Sequence, residues 1–207
     1  MFEGKSIFSI LNSGGGIMYV LLLCSVLTIA VILQKSLRFW GIKKTDRKGL
    51  LENIKTKVES GDIEGAKNEC LKDKNPYSNV LFAGLCQYGK SESAVDGAME
   101  RWIAEEILDL EEYTGIVGTI GNTAVYIGLF GTVIGIMKAF HDISTMGQTG
   151  MNTVIIGVSE ALIATATGLL VAIPSVIAFN YFMTKIDRIM KEMQLCASEL
   201  SDCLKNR

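Results

Sequence analysis

The chain has 207 residues, 49% of them apolar, and its 20 basic and 22 acidic side chains nearly cancel to a net charge of −2. Yet residues 6–34, 113–137 and 161–184 hold no charge over 29, 25 and 24 positions. A soluble domain of this size cannot enclose three such runs in one core, and the lack of a basic excess argues against a nucleic-acid binder. Each run can cross about 30 Å of hydrocarbon as a helix, which takes roughly 20 residues. The expected class is all-α, a polytopic membrane protein with three transmembrane helices.

In chain order, residues 1–13 form a short, nearly neutral lead. A cleavable signal needs a basic start and an apolar stretch of roughly 7–15 residues. Here Glu3 and Lys5 cancel, and 16–33 is apolar throughout, which predicts a retained first span over 14–34. Lys35, Arg38, Lys43, Lys44, Arg47 and Lys48 follow, opposed by Asp46 alone. Such a cluster beside a span marks the cytosolic side, with Phe39 and Trp40 where interfacial aromatic anchors belong.

Residues 35–112 read as a cytosolic helical region. Leu50, Leu51, Ile54 and Val58 recur at helical spacing, Gly61-Asp62 interrupts, and Ile63, Ala66 and Cys70 resume. Asn75-Pro76 is a breaker. A helix starting near Ser91 presents Val95, Met99, Trp102 and Ile103 on one face. Nothing in the sequence stops it before the second span, so a single helix over about 92–139 is expected, on the order of 70 Å long. Glu105, Glu106, Asp109, Glu111 and Glu112 crowd its middle, either as a solvated face or as a patch for cations or a basic partner.

The second span is expected over 113–139, an outer turn over 140–152 (periplasmic in the family reading below) and the third span over 153–184. Lysine and arginine are absent from 139–184, which places the turn outside. Residues 185–207, amphipathic at helical spacing, should continue the third helix into the cytosol. The topology is then N-out and C-in, with the second and third helices reaching beyond the membrane.

At 100° per residue, Gly118, Gly121, Val125, Gly128, Thr132 and Gly135 form one stripe of the second span. Gly157, Ala161, Ala164, Thr165, Gly168, Ala172 and Ser175 form one face of the third. Small residues let helix backbones approach closely in lipid. The stripes either line a narrow passage, with Thr132 and Thr165 as its polar points, or only pack helices, with the threonines bonded to their own backbone. Glu160 is the one ionisable residue near the third span's interior. A carboxyl there is costly and a functional candidate, although a helix start also favours an acid. Pro174 removes a backbone hydrogen bond in mid-span and is expected to kink the helix. His141, in the turn, suits solubility better than a proton relay. The five cysteines form no CxxC pair, and no nucleotide-binding, zinc-hydrolase or serine-hydrolase motif occurs. The chain is therefore read as a non-enzyme without cofactor or metal.

Two stretches are specific. Tyr126-Ile127-Gly128-Leu129-Phe130-Gly131-Thr132-Val133-Ile134-Gly135-Ile136-Met137, with Ala139-Phe140, resembles the second-span motif of the ExbB/TolQ/MotA proton-channel family. Gly157-Val158-Ser159-Glu160-Ala161-Leu162-Ile163-Ala164-Thr165-Ala166-Thr167-Gly168-Leu169-Leu170-Val171-Ala172-Ile173-Pro174, with Asn180-Tyr181-Phe182, resembles its third-span motif. Three spans and the place of the cytosolic insert make the chain most similar to ExbB members, with TolQ close behind. The resemblance implies a homo-pentamer in the bacterial inner membrane whose second and third spans surround two single-span ExbD-type partners. Each partner carries a titratable aspartate, and the work of inward proton flow goes to a TonB-type protein or, in the TolQ role, to envelope integrity. It also implies that Thr132 and Thr165 face the partner aspartate, that Glu160 and Pro174 are the family's third-span glutamate and proline, and that Gly121, Gly128, Gly135, Ala161, Gly168 and Ala172 line the pore. Where the family commonly has a proline before Gly-Leu-Phe-Gly-Thr, this chain has Ala124-Val125, which implies a straighter second span.

Overall fold

The computed structural model describes residues 15–43, 47–72, 75–146 and 151–205. Seven helices and no strand are found among them: α1 (Gly15–Lys43), α2 (Arg47–Ser60), α3 (Ile63–Lys72), α4 (Pro76–Leu85), α5 (Glu92–Glu111), α6 (Thr114–Met146) and α7 (Met151–Lys205). The chain is an all-α polytopic membrane protein, since α1, α6 and α7 are each long and apolar enough to span a bilayer. The expected lead over 1–13 and the centre of the expected turn, 147–150, lie outside the described residues.

The breaks between the short helices are readable. Gly61 takes φ 91°, and the Asp62 carboxylate accepts from the Gly65 amide at 2.8 Å to start α3. Asn75 caps α4 by accepting from the Ser78 amide at 2.9 Å, and Pro76 occupies the first turn, where no amide is needed. The apparent breaker is thus a helix start.

The expected single helix over 92–139 is corrected. α5 ends at Glu111, and Tyr113 adopts φ 61° before α6 begins at Thr114. That left-handed conformation costs a non-glycine residue about 1–2 kcal/mol. Continuing the helix would leave Asp109, Glu111 and Glu112 in mid-helix, whereas the break puts α5's last carbonyls within reach of cations from α1. Lys35, wholly buried, donates to the Leu110 carbonyl at 2.8 Å. Arg38 donates to the Asp109 carbonyl at 3.0 Å and grips its carboxylate. These two side chains satisfy carbonyls that a helix end leaves without partners. α6 also runs on to Met146, into the range expected as a turn, 140–152. No glycine or proline interrupts 140–146.

The chain divides into two compact units, Met1–Gln34 with Tyr113–Tyr181, and Lys35–Glu112 with Phe182–Arg207. In the first, Leu21, Ile120, Ala124, Val171 and Ala172 form a buried cluster. Thr28 of α1 shares a hydrogen bond at 3.1 Å with the buried Ser175 of α7, which also bonds the Val171 carbonyl.

The second unit is polar outside and packed within. Along α7, Phe182, Ile186, Ile189, Met193, Cys196 and Leu200 are all buried, at alternating steps of four and three residues. The same unit buries Ile54, Val58, Leu81, Leu85 and Met99. Gly84 permits close packing: a Cβ there would sit 2.7 Å from the Met99 sulfur and 3.2 Å from Leu200. Lys55–Glu199 and Lys205–Glu92 pairs and a Tyr77–Glu192 hydrogen bond of 2.6 Å tie the tail of α7 to α2, α5 and α4. Burial, then the neighbouring Glu192 carboxylate, pushes the Tyr77 hydroxyl pKa upward.

Some side chains are not where their spacing suggested. Phe39, expected as an interfacial anchor, is buried and stacked on Phe182 with ring centroids 5.7 Å apart, whereas Trp40 is exposed. Trp102 is exposed, and Ala98 takes its place beside Val95, Met99 and Ile103. All five cysteines are free; Cys70 and Cys196 are buried packing residues, but Cys86 is exposed.

Candidate functional site

The small residues of α6 and α7 meet in an antiparallel seam of fixed register. Gly121 lies against Ser175 and Val176, Gly128 against Gly168, Gly135 against Ala161, and Ala139 against Gly157. Steps of seven, seven and four residues along α6 match equal steps back along α7. The contacts include main chain: a Cβ on Gly168 would fall 2.6 Å from the Ala124 carbonyl oxygen, and one on Gly128 2.9 Å from the Ala164 carbonyl oxygen. Ala161 and Ala172 are buried. All six positions read as pore lining, Gly121, Gly128, Gly135, Ala161, Gly168 and Ala172, are therefore occupied in packing within the chain. In lipid, where apolar side chains gain nothing by leaving a neighbour of equal polarity, such close approach is what holds helices together.

Thr132 and Thr165 lie at the centre of this seam. Thr165, half-buried, donates across it to the Gly128 carbonyl at 3.1 Å. Thr132, buried, donates to the Leu129 carbonyl of its own helix at 2.6 Å. Both hydroxyls thus end on consecutive carbonyls of α6. The reading in which the threonines bond their own backbone holds for Thr132 and fails for Thr165. Each hydroxyl spends its one proton on a carbonyl and keeps oxygen lone pairs able to accept. Thr119, Thr123, Ser159 and Thr167 bond the carbonyl four residues back, a local habit of hydroxyls in helices.

Glu160 is half-buried on α7, and no hydrogen bond or ion pair to it is found among the described residues. It sits one residue from Ala161, the partner of Gly135. Pro174 is exposed and α7 passes through it unbroken. It leaves the Leu170 carbonyl without its helical donor. Likewise α6 is continuous through Ala124-Val125.

A second polar face escaped the sequence reading. Thr119, Asn122, Thr123 and Tyr126 follow i, i+3, i+4, i+7 spacing and are exposed on α6. The signal is this spacing itself, on a different side of the helix from the glycine stripe. An asparagine exposed inside a span faces protein or water rather than lipid. Among the described residues, no group of three or more His, Cys, Asp or Glu is arranged to hold a metal.

The sequence profile of the MotA/TolQ/ExbB proton channel family matches residues 72–195, from the end of α3 into the tail of α7. The chain belongs to this family. A biopolymer transport protein ExbB from Salmonella typhimurium is 32% identical over 179 residues, covering 82% of this chain and 72% of its own length. The ExbB of Pseudomonas putida is 31% identical over 175 residues, 82% of this chain and 53% of that protein. A Tol-Pal system protein TolQ from Pseudomonas aeruginosa is 42% identical over 107 residues, 52% of this chain and 46% of that protein. The chain therefore spans about half the length of these two Pseudomonas relatives. The family match takes in the whole α6–α7 seam, including Thr132, Glu160 and Thr165, while α1 lies outside it.

Proposed function

We propose that the chain is an ExbB-like subunit of a proton-driven motor in the bacterial inner membrane, with the polar unit in the cytosol and the α6–α7 connection outside. Five copies surround two single-span ExbD-type helices, and the motor energises import at the outer membrane through a TonB-type protein. The observation that carries this reading is the pair of threonine hydroxyls on the consecutive carbonyls of Gly128 and Leu129. With their protons committed, both oxygens accept. They favour a protonated carboxyl, which can donate, over a carboxylate, which cannot. A partner aspartate passing them is held while neutral and released when it ionises. Apart from Glu160, which stands toward the turn end of α7 as an entry carboxylate, the chain's own spans supply no acid to compete with that group.

The test is Thr165→Val, which keeps shape and removes the acceptor. Proton flux through the chain co-expressed with its single-span partner should fall by at least about tenfold, the worth of one hydrogen bond to an ionisable group. Full flux in this variant would refute the role of Thr165. The 42% identity to a TolQ favours a second reading, a Tol-Pal-type motor serving envelope integrity. Complementation of exbB and tolQ deletion strains separates the two.

A further inference from the structure

A basic cavity in the polar unit has no part in the seam or in proton passage. It holds about 190 Å³ and is formed by Ile42 at the end of α1, Arg47 of α2, Tyr77 of α4, and Lys185, Arg188 and Glu192 of α7. Three cations face one carboxylate, and that carboxylate is already engaged. Glu192 accepts from the Tyr77 hydroxyl at 2.6 Å and from Arg188 Nε at 3.0 Å. The terminal nitrogens of Arg188 are left over, since a guanidinium has five donors. Lys185 has no hydrogen bond or ion pair among the described residues. Unspent donors of this kind, on the Arg188 guanidinium and the Lys185 ammonium, match the oxygens of a phosphate ester.

The position selects the source of that phosphate. Lys185 is the first charge after the uncharged run 161–184, and Ile42 lies eight residues past the end of the run 6–34. Along helices rising 1.5 Å per residue, both fall within about 12 Å of where the apolar stretches stop. Trp40, two residues before Ile42, and Tyr181, one turn before Lys185, are 63% and 59% exposed, as suits aromatic side chains at headgroup level. We propose that this cavity binds the phosphate headgroup of an anionic phospholipid in the leaflet adjoining the polar unit, with Lys185 and Arg188 as its main donors. Basic pockets beside spans recognise such lipids by charge and hydrogen bonding together. The proposal does not depend on the motor reading.

The experiment is native mass spectrometry of the full chain, purified in detergent with dioleoyl phosphatidylglycerol or dioleoyl phosphatidylcholine. The expected result is retention of phosphatidylglycerol over phosphatidylcholine by about tenfold or more. It should fall about fivefold for each charge removed in Lys185→Gln and Arg188→Gln, survive in Lys185→Arg, and be unchanged in Lys90→Gln, a distant surface charge. Inorganic phosphate and glycerol 3-phosphate at millimolar levels should not displace the lipid. Equal retention of the two lipids by the unaltered chain overturns the proposal. So does undiminished binding in the Lys185→Gln, Arg188→Gln double variant, or an equal drop in Lys90→Gln. Displacement by inorganic phosphate would make this a site for a free anion instead. Helicity measured by circular dichroism shows whether each variant has folded, and the comparison on the unaltered chain needs no variant.

Discussion

Gly168→Ala tests whether the seam is held by backbone contact. The new methyl would sit 2.6 Å from the Ala124 carbonyl oxygen and 3.0 Å from the Gly128 Cα. Both are main-chain atoms, so no side chain can swing away. Ordinary contact begins near 3.4 Å, so the helices must part by about 0.8 Å. Overpacking of this kind costs about 1–3 kcal/mol. The same movement stretches the 3.1 Å Thr165–Gly128 hydrogen bond past useful length, adding about 0.6 kcal/mol for an interhelical bond in a membrane. Alanine is the better helix former by up to about 1 kcal/mol, which offsets part of the loss. Gly115→Ala, near the start of α6 where nothing lies within 4 Å, supplies the control. Reversible unfolding in detergent or bicelles should show Gly168→Ala less stable than Gly115→Ala by about 2 kcal/mol, roughly a 30-fold change in the folded-to-unfolded ratio. Equal stability of the two variants would refute backbone contact as the basis of the seam.

Removing the buried Lys35 ammonium in Lys35→Met strands the Leu110 carbonyl and should cost the polar unit about 1–3 kcal/mol. Arg38→Ala, at a partly exposed ion pair, should cost less than about 1 kcal/mol; thermal denaturation of the two variants ranks them. Leu200→Ala, in the fully buried row of α7, should cost about 2–5 kcal/mol in the same assay. The Glu69 carboxyl is held at a pKa of about 2 by hydrogen bonds from Lys57 and Lys72. Because the folded value lies below the unfolded one, its stabilisation is complete above about pH 4.5 and is lost as pH falls toward 2. Glu69→Gln should flatten that part of the acid-unfolding curve, and an unchanged curve would contradict the pairing. Glu160→Gln should lower proton flux through the assembled complex while leaving assembly intact on native gels; unchanged flux would remove Glu160 from the proton path.

The spans were legible because charge is costly in hydrocarbon, so its absence over 113–137 and 161–184 carries a strong signal. The small stripes were legible for the same kind of reason: only backbone proximity explains glycine at seven-residue steps in a helix. Which helix they face was not, since periodicity gives a direction around an axis and no address. The break at Tyr113 was invisible because its cause is remote. Lys35 and Arg38 lie more than 70 residues earlier in the chain, and nothing near Glu112 announces that the carbonyls of Asp109 and Leu110 have partners there. Phe39 misled for a related reason. An aromatic beside basic residues fits an interface by composition, but its ring was claimed by Phe182. Asn75-Pro76 shows the opposite case, in which a purely local hydrogen bond from the Ser78 amide starts a helix where the dipeptide alone reads as a breaker.

The seam also imposes a rule on how this chain can drift. At Gly128, Gly135 and Gly168 the permitted alphabet has almost one letter, because any added carbon meets a partner's main chain. On the exposed faces, Leu162, Leu170, Phe130 and Ile177 can trade places with any apolar residue of similar bulk without being noticed by the helix behind them. Two such proteins can therefore lose most of their common residues while keeping the same spacing of glycines, and a saturation-mutagenesis screen should recover that spacing as intolerant columns in an otherwise permissive field.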